Sequence, residues 1–152
     1  MSIATNVRTS TAAPAIVDQA LIAGLGAFAL YHFALAALMA VSPHAFFTSI
    51  GPFGTYNPHY IRDTATFNAA LGIGFAVALR RSSWRVPVLA VTTAQFALHS
   101  LNHLLDIDRA HPVWTGYFDF FSLLAATLLL GGLLARARTG SASTPRSQGE
   151  LP

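Results

Sequence analysis

Apolar residues in this chain gather into four long runs instead of alternating with polar ones. The runs cover about residues 20–41, 60–79, 86–105 and 117–135. Each is closed by a breaker: Pro43, then Arg80 and Arg81, then Asp106 and Asp108, and last Arg136. A helix crossing the ~30 Å hydrocarbon core of a bilayer takes ~20 such residues at a rise of ~1.5 Å each. The pattern therefore predicts an all-α fold, an antiparallel four-helix transmembrane bundle over residues 18–136. Tails 1–17 and 137–152 are rich in Ser, Thr, Ala, Pro and Gly and are expected to be disordered. The first run, about 22 residues long, exceeds the 7–15 apolar residues of a secretion signal, so a retained helix is expected. The segment between the first two runs holds Phe46, Phe47, Phe53 and Tyr56 among Pro43, Gly51, Pro52, Gly54 and Pro58. It is expected to lie on the membrane surface or to fold over the mouth of the bundle.

Composition sharpens this picture. The chain is 53% apolar and 10% charged, against roughly 25% charged residues in ordinary soluble domains. That balance disfavours a soluble enzyme and a disordered chain, and the lack of cysteine excludes a disulfide scaffold or a thiolate metal site. With four spans, one side carries Arg8, Arg80, Arg81, Arg85, Arg136, Arg138 and Arg146, and the other only Arg62 and Arg109. Arginine collects on cytoplasmic loops, so both termini are expected in the cytoplasm and the protein in the inner (plasma) membrane. Trp84 at one face, with Trp114 and Tyr117 at the other, fits aromatic belts. The net charge of +3 then reports topology and attraction to anionic lipid. Nucleic acid is not an expected partner, since no basic stripe is interleaved with aromatics.

Lipid offers no hydrophobic drive between spans, so small residues that admit close backbones matter for packing. Ala65, Ala69, Gly72 and Ala76 share one face of the second span; Ala20, Gly24 and Ala27 lie on the first, and Gly131 and Gly132 on the fourth.

Polar residues inside the runs carry the candidate chemistry. Thr92, Gln95, His99, Asn102, His103 and Asp106 fall within a stripe about 100° wide on the third span. Such a stripe faces protein or an aqueous cavity, because lipid leaves its hydrogen bonds unmade. Tyr31 and His32 from the first span, Arg62, Asp63, Thr66 and Asn68 from the second, and Asp119 and Ser122 from the fourth sit at similar depth. The inner halves are almost wholly apolar, so a polar pocket opening outward over an apolar plug is expected. Three readings fit it. One is a structural network in which Arg62 pairs with Asp63, Asp106 or Asp119. Another is a metal site: His99 and His103 at i and i+4, with Asp106 a turn on, suit zinc or non-haem iron or manganese, completed by His32, Asp63 or Asp119. The last is haem b held between His32 and His99 on two spans. A pocket for a quinone, lipid or other small amphiphile is a further alternative.

The layout resembles the DoxX-like group of small bacterial four-helix membrane proteins. The residues that carry the likeness are Gly51, Pro52 and Gly54 in the outer loop, Tyr60-Ile61-Arg62-Asp63 opening the second span, Ala69, Gly72 and Gly74 within it, and the basic hairpin after it. The resemblance implies the four-span core, about residues 20–135, and carries no catalytic residue across; some members are associated with quinone-linked or oxidative-stress complexes. The expected function is a membrane binding or accessory protein, open to homo-oligomers or a membrane-complex partner. The alternative is a metal-dependent membrane hydrolase or oxidoreductase, and cofactor and ligand stay open.

Overall fold

Each of the four apolar runs becomes a helix, and a fifth, short helix forms in the segment between the first two. A computed structural model describes residues 15–142: α1 (Ala15–Val41), α2 (Pro43–Ser49), α3 (Pro58–Arg80), α4 (Arg85–Leu105) and α5 (Val113–Ala142), with one 3-10 turn at Ser82–Trp84. No strand occurs among the described residues. Residues 1–14 and 143–152, with Arg8, Arg146 and most of the two expected tails, lie outside them. Helix α5 runs past the charged breaker Arg136 to Ala142. Charge ends an apolar run but not a helix, because Ala and Arg are both strong helix formers.

Local chemistry sets the other boundaries. Pro43 stops α1 and opens α2, since a proline at the first helical position lacks only an N–H that has no helical partner there. Asn57 caps α3: its side-chain oxygen accepts from the backbone N–H of His59 at 3.1 Å and of Tyr60 at 3.4 Å. At the other end, Arg85 Nε donates to the carbonyl oxygen of Ala78 at 3.3 Å, which ties the hairpin between α3 and α4.

Packing is pairwise. Helix α1 lies along α3 and α4 along α5. The first pair is antiparallel: Phe28 stacks on Phe75, Phe33 lies on Gly72, and Met39 meets Asn68. The small-residue face of α3 makes this approach, with Ala65 and Gly72 buried and Ala69 and Ala76 half-buried. Gly24 of α1 touches Leu133 of α5. Gly131 and Gly132, expected to join a helix interface, instead have no neighbouring atom where a Cβ would stand. The four long helices share one apolar core that includes Leu25, Phe28, Phe75, Leu89, Phe96, Leu130 and Leu133. It fills the half of the molecule near the start of α1 and the end of α5. The opposite half, here the distal end, holds the polar groups.

Two helices among the described residues are long and apolar enough to cross a membrane, over Gln19–Val41 and Val113–Thr139. Helices α3 and α4 carry too many polar groups for that measure, among them Arg62, Asp63, Asn68, Gln95, His99 and Asn102. The outer surface is nonetheless strongly apolar: Leu30, Phe67, Leu98, Phe118, Phe121 and Leu128 are all exposed.

A backbone contact gives a sharp test of this packing. A Cβ on Gly116, in the first turn of α5, would collide with the carbonyl oxygen of Ile107, which cannot swing aside as a side chain can. Gly116→Ala is expected to lower thermal stability by ~1–3 kcal/mol, read as a fall in Tm of the purified protein. Gly131→Ala, facing open space, should leave Tm unchanged or raise it.

Candidate functional site

The polar stripe of α4 is split by the way the helix packs. Leu89, Thr92, Phe96 and Ser100 form its buried ridge. The stripe straddles one edge of that ridge, so Thr92 is buried and His103 half-buried, while Gln95, His99 and Asn102 are exposed. Where one outward-opening pocket is expected, the structure has a small cavity at the distal end and an open depression on the outer side of α4, with Asn102 lining both.

The cavity has a volume of about 150 Å³ and is lined by Phe53, Asn102, His103 and Asp106. Its lid is the segment before α3. Gly54 takes a left-handed φ of 64°, a conformation that suits glycine. This turn sets Phe53 antiparallel to Ala110 in an isolated bridge, while Pro52 O accepts from His111 N at 3.3 Å. The segment thus folds over the distal end. Phe53 and the His103 ring meet edge to face with centroids 4.9 Å apart, and His99 meets the same ring at 4.7 Å. His103 Nδ1 is buried with no hydrogen-bond partner among the described residues, as is Asp119 Oδ2 on α5. Asp106 is drawn to Arg109, with Oδ1 3.2 Å from Nη1.

His32 occupies a different place. It is 1% exposed, stacked on Phe75 at 5.7 Å and flanked edge-on by Phe96 and Tyr31. Asn68 Nδ2 donates to Thr64 O at 3.1 Å, so Asn68 Oδ1 is left to accept from His32 Nδ1 at 2.9 Å. This places the ring proton on Nδ1 and leaves the lone pair on Nε2, which is buried without a partner. His32 thereby belongs to the α1–α3 contact, and His99 to the exposed side of α4. The ring contacts of the two haem candidates differ: His32 meets Phe75, Phe96 and Tyr31, and His99 meets His103.

The remaining candidates disperse. Asp63 is exposed and 3.4 Å from His59. Arg62, expected to pair with Asp63, Asp106 or Asp119, is exposed and makes no ion pair among the described residues. The two aspartates that do pair take partners three or four residues away, which the helix and turn bring within reach at no cost in chain closure. No three His, Asp or Glu side chains converge to hold a metal among the described residues. Phe53 was not a candidate from the sequence; the Gly54 turn beside it was the available signal. Comparison of the chain with family models, with curated proteins and with solved structures finds no match to any of them.

The His32–Asn68 contact makes a quantitative expectation. Asn68→Leu strands both ring nitrogens in the core and is expected to lower stability by ~1–3 kcal/mol. The double change His32→Phe with Asn68→Leu removes both polar partners and should recover most of that loss. Thermal unfolding of the three proteins under one set of conditions measures it.

Proposed function

We propose that the chain is a multi-pass membrane protein, an antiparallel four-helix bundle, that binds a small hydrogen-bonding molecule at the distal end of α4. The membrane reading is supported by two helices of spanning length and apolarity and by apolar side chains exposed on all four long helices. Soluble proteins rarely expose contiguous apolar surface on this scale. In this reading α3 and α4 complete the bundle, the termini and the Arg81–Arg85 hairpin lie in the cytoplasm, and the distal end faces outward. The layout resembling DoxX-like proteins agrees with the same topology.

The observation that carries the binding reading is the roughly 150 Å³ cavity with the unpartnered His103 Nδ1 buried beside it. A cavity of that size takes a molecule of benzene's dimensions. A buried ring nitrogen without a partner favours an occupant that can hydrogen-bond to it, and Asn102 and Asp106 add further polar groups to the wall. The ligand class is therefore a ring-sized polar molecule, or a lipid or quinol headgroup of that size, seated under Phe53. A metal on His99, His103 and Asp106 fits less well, because Asp106 is engaged by Arg109 and no third ligand joins the histidine pair.

Two measurements test the reading. The protein should stay in the membrane pellet through alkaline carbonate extraction, and a C-terminal fluorescent fusion should fluoresce in the cytoplasm. Phenol, used as a ring-sized hydrogen-bonding probe, should shift the His103 ring resonances saturably in the solubilised protein. His103→Leu should abolish saturable phenol binding while the fold persists. Absence of any saturable shift in the unsubstituted protein defeats the binding reading.

A further inference from the structure

The exposed side of α4 carries a pattern of which only Asn102 also lines the cavity. Val91, Gln95, Leu98, Asn102 and Leu105 follow one another at steps of four, three, four and three. All five are exposed, with Val91 at 63%, Leu98 at 69% and Leu105 at 71%. They lie across the helix from the buried ridge of Leu89, Phe96 and Ser100. A repeat of this kind is the seam of a coiled coil, with Val91, Leu98 and Leu105 at d positions and Gln95 and Asn102 at a positions. Beside the seam lies an open depression of about 600 Å³ whose lining includes Ala94 and His99, a surface into which side chains of a facing helix can insert.

We infer that this seam is the interface between two copies of the chain, joined α4 to α4 in the membrane. The inference rests on the membrane reading given above. Within a bilayer, Gln95, His99 and Asn102 turned to lipid leave amide and imidazole groups without hydrogen bonds, so protein must cover them. The chemistry of the seam selects the partner. Two copies inserted with one topology are related by a twofold axis along the membrane normal, which makes their α4 helices parallel. Each seam residue then meets its own counterpart at the same depth, Asn102 facing Asn102 and Gln95 facing Gln95. A side-chain amide both donates and accepts, so these pairs are self-complementary. Polar residues at a positions can fix register and pairing in this way. The outward residues of α5, including Phe118, Phe121, Leu128 and Leu129, are apolar and suit lipid.

The chain contains no cysteine, so single-cysteine variants report the contact without background. Val91→Cys, Leu98→Cys and Leu105→Cys lie on the seam. Leu104→Cys is also exposed, at 46%, but lies about 120° round the helix from Leu98. Oxidation in native membranes should convert the three seam variants to species of twice the chain's mass, at least about fivefold more efficiently than Leu104→Cys. Equal cross-linking at all four positions, or none at the seam, overturns the inference in protein that resists carbonate extraction. A seam adduct with a mass other than twice the chain's overturns it as well, by pointing to a different partner. Release of the chain by carbonate defeats the membrane reading itself, a result distinct from failure of the seam.

Discussion

The close approach of α1 to α3 is the contact on which the rest of the molecule depends. It is possible because Gly72 offers no side chain where the Phe33 ring lies, and because Ala65 and its small neighbours keep the two backbones near. At that separation His32 reaches Asn68, and Phe28 stacks on Phe75. The aromatic layer so formed receives Phe96 from α4, which turns the Thr92–Ser100 ridge inward. Turning that ridge inward necessarily leaves Gln95, His99 and Asn102 outside. The division of the polar stripe is thus a consequence of an interface to which none of its members belongs.

Apolar and polar matter are sorted along the long axis. Near the start of α1 and the end of α5, side chains from all four long helices fill one apolar core, and His32 packs against its Phe75 and Phe96. Toward the distal end the core gives way to groups with unmet hydrogen-bonding capacity, at His103 and Asp119. Interhelical hydrogen bonds in apolar surroundings contribute only ~0.6 kcal/mol on average. The polar half therefore adds little to holding the helices together.

Much of the fold was legible in the sequence because runs of apolar residues and their breakers map directly onto helices. The order of the four long helices and the small-residue face of α3 followed from pattern, whereas pattern left the Phe53 segment either on a membrane surface or folded over the bundle. Helix α2 did not, since Pro43 was read as a stop and is equally a start. The site was legible by residue type but not by partner. A stripe about 100° wide fixes which residues neighbour one another on α4, yet not which half of it is buried; Phe96 decides that through its fit to α1. The His32–Asn68 pair spans 36 residues of sequence and depends on the tertiary approach, so neither member announces the other. Conversely, Asp106 and Arg109 are near neighbours in the chain, and the local pair displaced the long-range one expected of Arg62.

The Phe53–Ala110 bridge links the segment that precedes α3 to the one that follows α4. The α1–α3 pair and the α4–α5 pair behave as the two leaves of a book, bound along the apolar core at one end. The bridge is the clasp on the free edge. Fastened, it fixes the angle at which the leaves stand and with it the gap in which His103 sits. In the binding reading proposed above, an occupant of that gap would lie against Phe53, one of the two residues of the clasp.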